Sequence, residues 1–194
     1  MLPFKVLIAP GHGIQPNGNF DTGATYKDGE GNEYLEHEFN REVVLHAGVY
    51  LKNRNINVIV EQSGLAGRKS HDPNWVGTLK TIRSDRTITV GVEVHHDYSL
   101  APRGGFGILP RGRWNDEMAA LARSIRDAYI SGGLAVRTNY SDVRGLGFLR
   151  STPTPTLIWE CGRMEPTDHS ALIARGNSLA SGIIAWARNA GYSI

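Results

Sequence analysis

At 194 residues, 40% of them hydrophobic and 21% charged, the chain can bury the core of one ordinary domain without disulfide or metal staples. Its 21 basic and 19 acidic residues leave a net charge of +2, and no basic stripe with interleaved aromatics stands out, which argues against a nucleic-acid partner. Cys161 is the single cysteine, so neither an internal disulfide nor a cysteine zinc knuckle is available.

The opening MLPFKVLIAPGHG is too short and too soon interrupted for a signal peptide, and no apolar run approaches a membrane span. The chain is therefore expected to be made in the cytosol, without membrane insertion. FKVLIA, 4–9, is a continuous apolar run of the kind that forms strands buried on both faces. It stops at Pro10, and His12 follows between two glycines that let the backbone turn sharply close to a small ligand. Residues 13–35, rich in Gly, Asn and Asp, read as one long loop, and loops of that length are commonly functional. From Glu36, the apolar residues Phe39, Val43, Ala47, Tyr50 and Leu51 recur at helical spacing. INVIVE, 56–61, predicts the next strand.

After a loop, Asp72-Pro73 reads as a helix start, with Trp75, Leu79 and Ile82 as the apolar face of a short helix. ITVGVEVH, 88–95, alternates: Ile88, Val90, Val92 and Val94 take one side, and Thr89, Gly91, Glu93 and His95 the other. GFGIL, 105–109, predicts a further strand, 115–130 an amphipathic helix, GFL at 147–149 a short strand and TLIWE, 156–160, a buried one. A last helix is expected from about Thr167 to Asn189, with Gly191 near its end. Strands alternating with helices predict an α/β fold: a single domain over 1–194, with a twisted, mostly parallel sheet of about six strands and helices on both faces.

In such a sheet, ligands bind beyond the carboxyl ends of the strands. His12 follows the first strand at that end, His95 closes its strand there, and Glu160 closes TLIWE in the same way. Glu36, at the start of the helix after the first strand, belongs to the same edge, and Glu38 stands close enough to be an alternative. Two imidazoles and one carboxylate suit zinc, with a fourth position left for water. A carboxylate beside the ion could then move the water's proton to a leaving amine. The spacing excludes a helix-borne H-E-x-x-H arrangement. His96 should point to the opposite face of the strand from His95. His46, His71 and His169 read as surface or capping residues, and Trp75, Trp114, Trp159 and Trp186 as core or rim.

Four blocks in order, APGHG with DTGA, EHEFNREVVLHAGVYLKNRNINVIVEQ, VEVHHD and TPTLIWECG, run over nearly the whole chain. Together they resemble the zinc-dependent N-acetylmuramoyl-L-alanine amidases of type 3. The resemblance implies zinc held by His12, Glu36 and His95, with Glu160 as general base and acid. It favours Glu36 over Glu38 because the family's glutamate precedes an xxxN pattern, which EHEFN supplies. The implied substrate is peptidoglycan, cut between N-acetylmuramic acid and L-alanine. One catalytic domain would fill the chain, with no separate wall-binding domain, in the manner of phage lytic amidases released from the cytosol at lysis. A zinc peptidase acting within the stem peptide and a non-catalytic wall-binding module are the alternatives. Nothing in the sequence sets an oligomeric state.

The sequence departs from the family at three places, one being that the arginine-bearing segment that often follows the second strand is not recognisable in 62–87. Cys161, Gly162, Arg163 and Met164 stand where a phenylalanine and an asparagine usually follow the catalytic glutamate. Glu93, in place of a frequent serine, shares a strand face with His95; it is a candidate to orient that imidazole or to join a buried ion pair.

Overall fold

A computed structural model describes residues 2–14, 19–61, 78–97, 104–142, 146–150, 152–164 and 169–194. Six strands form the central sheet: β1 Lys5–Pro10, β2 Asn57–Val60, β3 Val90–Asp97, β4 Phe106–Leu109, β5 Tyr140–Ser141 and β6 Thr156–Arg163. Their spatial order is β5-β4-β6-β3-β1-β2. β6, β3, β1 and β2 run parallel, whereas β4 is antiparallel to β6 and β5 follows β4. The reversal has a simple cause. Only residues 98–105 join β3 to β4, too few for the crossover of a dozen or more residues that a parallel return needs. β4 therefore starts from the edge at which β3 ends.

Alternation along the strands divides the interior into two layers. Val6, Ile8, Val90, Val92, Val94, Leu157 and Trp159 pack beneath three long helices, α1 Glu36–Lys52, α3 Asn115–Ser131 and α5 His169–Asn189. Leu7, Ala9, Ile108 and Ile158 face the other way and meet Ile82, Phe148 and Leu149, carried by α2 Thr78–Ser84 and α4 Gly147–Arg150. The mostly parallel sheet with helices on both faces is thus as the sequence predicts, with one thick and one thin flank. No helix among the described residues is long and apolar enough to cross a membrane.

Three local expectations change. Residues 147–149 form the helical turn α4 and not a strand. Phe148 and Leu149 are adjacent yet both buried in the thin layer, which strand geometry would send to opposite faces. The Phe148 carbonyl accepts hydrogen bonds from the Thr156 and Thr152 hydroxyls at 2.9 and 3.4 Å. The long loop over 13–35 carries two antiparallel ribbons, Gly13–Ile14 with Phe20–Asp21 and Thr25–Lys27 with Glu33–Leu35. The Asp28 carboxylate closes the second by accepting the Glu30 and Asn32 N–H groups at 2.9 Å each, a local side-chain turn that hydrophobic periodicity does not register. The helix anticipated from Asp72 is described from Thr78 to Ser84; Asp72, Pro73, Trp75 and His71 lie outside the described residues, as does 165–168 before α5.

α1 begins at Glu36 without a side-chain cap. The ribbon segment supplies it with carbonyls instead: Glu36 N–H donates to Ala24 O and His37 N–H to Thr22 O, at 2.9 and 3.0 Å. That docking brings residues 21–24 against the first turn of α1. It shapes the sheet edge at which His12, Glu36 and His95 lie.

Candidate metal centre

Beyond the carboxyl ends of β1 and β3, His12, Glu36 and His95 meet with one potential ligand atom each, all within 4.8 Å of one another. Glu36 is the hub. Its Oε2 lies 3.0 Å from His12 Nε2 and its Oε1 lies 3.0 Å from His95 Nδ1. The same carboxylate accepts the Ala24 N–H at 2.9 Å, the His96 N–H at 3.3 Å and the Asn40 amide at 3.4 Å. Burial alone would raise the pKa of Glu36, but the two imidazoles outweigh it and hold the group well below the ordinary carboxylate range. Glu38, the alternative glutamate, is not part of the cluster.

Each imidazole has a carboxylate behind it. His12 Nδ1 stands 3.2 Å from Asp21 Oδ2, and the other Asp21 oxygen accepts the Gly23 N–H at 3.0 Å. His95 Nε2 stands 2.9 Å from Glu93 Oε1. Burial would lower the pKa of His95, yet hydrogen bonds to Glu36 and Glu93, with the charge of Glu160, raise it well above the usual imidazole value. An ion taking His95 Nδ1 would therefore displace a proton there and leave the Nε2–H for Glu93. A carboxylate that fixes tautomer and ring orientation is the usual support for a metal-binding histidine. The donor set, two imidazoles and one carboxylate with both rings braced, fits a divalent transition ion.

The backbone is shaped for this meeting. His12 adopts φ 64°, and Asn55 is the other non-glycine with positive φ among the described residues. Asparagine and histidine both enter that conformation more readily than most side chains, and at His12 the surrounding contacts hold it. Gly11 lies directly under the His95 ring, which an added Cβ would strike. A Cβ on Gly23 would come within 2.5 Å of His12 Cδ2 and 2.6 Å of Glu36 Oε2. Both positions exclude any side chain.

Glu160 is paired in register with His95 across β6 and β3. It is half-buried and stands beside the ligand cluster without belonging to it. After it, β6 continues to Arg163 with a shift of register and Gly162 at φ 112°. Cys161 turns into the core under the long helices, where the Tyr129 hydroxyl donates to its Sγ at 3.3 Å. Burial pushes the thiol pKa up to about 12, so it is not a nucleophile at neutral pH. Cys161→Ser and Cys161→Ala are expected to keep most of the protein's activity; a near-complete loss in a variant with an unchanged circular dichroism spectrum would place the thiol in the chemistry.

His96 faces away from the cluster, as strand alternation requires. It is buried under α1, donates from Nδ1 to Asn40 Oδ1 at 2.7 Å, and burial together with the Arg175 charge holds its pKa well below the usual value. Asn40, which the sequence marks only by its spacing from Glu36, spans Gly11 O, Glu36 and His96. Asp21 and the neighbouring His37, whose Nδ1 meets Gly11 O at 3.2 Å, were likewise not singled out. Of the tryptophans, Trp159 and Trp186 are core, and Trp114 packs at its margin under the Arg113 guanidinium, 4.0 Å from the ring centroid.

Fold and cluster together define a class: a single α/β domain with a His–Glu–His set that could hold a metal ion at the carboxyl edge of its sheet. The family model for N-acetylmuramoyl-L-alanine amidases matches residues 6–186, and the chain belongs to that family. Solved structures of the same fold include the catalytic domain of CwlV, an N-acetylmuramoyl-L-alanine amidase from Bacillus (Paenibacillus) polymyxa var. colistinus. It has a TM-score of 0.72 and 19% identity, over 95% of this chain and 98% of that one. The CwlD amidase from Clostridioides difficile, solved in complex with the GerS lipoprotein, has a TM-score of 0.75 and 15% identity, over 96% and 99%. The catalytic domain of the CD27L endolysin, targeting Clostridia difficile, has a TM-score of 0.68 and 16% identity, over 94% and 97%. No curated protein is significantly similar in sequence.

Proposed function

We propose that the protein hydrolyses the amide between N-acetylmuramic acid and L-alanine in peptidoglycan, with zinc held by His12, Glu36 and His95 and with Glu160 as general base and acid. The observation that carries this reading is the meeting of those three side chains at the sheet edge, with Glu160 in register beside His95, in a chain of the amidase family. Zinc, when bound, supplies a Lewis acid that polarises the amide carbonyl and lowers the pKa of water to about 7. The chain's own residues do the rest. Glu160 accepts a proton from the attacking water and returns it to the L-alanine nitrogen as the amide C–N bond breaks, releasing a muramoyl carboxylate and a free amine. Asp21 and Glu93 hold the two imidazoles in the tautomers that face Glu36.

The wall is the proposed site of action, reached after release from the cell that makes the protein; likeness to an endolysin catalytic domain supports that setting. Mass spectrometry of digested wall fragments tests the reaction. A free muramoyl carboxyl with a new L-alanine amine is expected. New amines within the stem peptide would replace this reading by a peptidase, and unchanged fragments would leave a binding module.

A further inference from the structure

A second group of ligand-type side chains lies on α1 and α5, in a place that the amide chemistry does not use. Glu42 and His46 are one helical step apart (i, i+4) on α1 and so share a face. His169 is the first residue of α5. These residues stand 6 and 10 positions beyond Glu36 on the same helix, roughly 9–15 Å along its axis, so they cannot serve the same ion.

The two helices are locked together at this point. A Cβ on Gly176 would come within 2.7 Å of His46 Cβ and 2.8 Å of Val43 O, so the α5 backbone rests directly on α1. Farther along, Ser181 Oγ donates to the Tyr50 hydroxyl at 2.9 Å. Within that fixed frame, Glu42 Oε2 lies 3.7 Å from His46 Nε2 and 3.9 Å from His169 Nδ1. The two rings meet edge to face, with centroids 5.1 Å apart. One potential ligand atom from each residue falls within 4.8 Å of the others.

The distances separate two interpretations. Hydrogen bonds from imidazole nitrogen to carboxylate run at about 2.7–3.2 Å, and both gaps exceed that. Two donors each about 2.1 Å from one tetrahedral ion stand about 3.4 Å apart, so a small inward movement of flexible side chains completes the set. His46 Nε2 is buried and has no hydrogen-bond partner among the described residues. A buried nitrogen of that kind calls for a partner. Imidazoles with a single carboxylate favour zinc-like ions over magnesium or calcium, which take oxygen ligands.

We propose that Glu42, His46 and His169 form a second metal site, taking one zinc ion with water in the fourth position and tying the first turn of α5 to the middle of α1. The site is independent of the amide chemistry, since it shares no ligand with the first cluster.

Zinc content, read by equilibrium dialysis of the chelator-stripped full chain at micromolar zinc, tests it. Wild type is expected to take two ions, and His169→Ala and Glu42→Gln one each. His12→Ala should also keep one, and in that background zinc should raise Tm, a rise that His169→Ala abolishes. The His169 side chain is 66% exposed, so its removal leaves the core untouched. One ion in wild type that His12→Ala loses and His169→Ala keeps would overturn the second site and leave the proposed function standing. Two ions in His169→Ala would overturn it as well. One ion lost only in His169→Ala would support the second site while removing zinc from the first.

Discussion

Glu160→Gln is expected to leave fold and zinc content intact and to slow turnover by about 10²–10⁴-fold, the usual contribution of a general base. The amide is nearly the same size as the carboxylate but cannot take a proton at neutral pH, so the substitution isolates the chemistry. The expectation rests on position. Glu160 lies in register beside His95, half-buried, while Glu93, the other carboxylate near that ring, is committed to His95 Nε2 at 2.9 Å. A purely structural Glu160 predicts a different pattern, in which stability falls and turnover per folded molecule survives. Thermal midpoint, zinc content and wall-lytic rate on one preparation separate the two. A destabilised but fully lytic variant would remove Glu160 from the mechanism and turn attention to Glu93.

His95→Ala should lose the ion of the first cluster and with it the activity. Loss of a mere supporting carboxylate typically costs about 10–100-fold in metal affinity, and loss of a ligand should exceed that. His96→Ala should behave otherwise, although the two histidines are adjacent. Its ring is buried and bonded to Asn40 Oδ1, on the opposite face from the cluster. Removing it leaves that oxygen unsatisfied, at about 2 kcal/mol, or about 4–8 °C in Tm for a chain of this size. Some loosening of Gly11 and Glu36 follows, because Asn40 holds both, but the ion stays. The reverse result, the first-cluster ion kept in His95→Ala and lost in His96→Ala, would exchange the roles of the two residues.

Much of the candidate site is legible in the sequence, because its main members sit at points that local pattern defines. His95 closes an alternating run and Glu160 a buried one in the sequence, although the strands run on to Asp97 and Arg163, and Glu36 opens an amphipathic helix; chain order then sends all three to the sheet edge that also receives His12. The choice between His95 and His96 follows from strand alternation alone. Where two patterns of equal weight compete over three residues, as at 147–149, the pattern predicts a strand but packing makes a helical turn. Residues 13–35 failed for another reason: the Asp28 turn and its ribbons are built by side chain to backbone bonds, which leave no apolar period.

What the sequence by itself determined is the mostly parallel α/β framework, the sheet edge that carries the candidate site and the residues whose places follow from where their element begins or ends. Only the tertiary structure decided which groups support them. Asp21 reaches His12, Asn40 joins His96 to Glu36, Gly11 and Gly23 yield their space to imidazole rings, and His46 meets His169 across two helices that the sequence reads as carrying surface residues there. The physical reason is the range of the forces concerned. Periodicity records burial, which acts residue by residue along one element, whereas hydrogen bonds, ligand sets and close backbone approach form only within about 3–4 Å, a distance fixed by how separate elements dock.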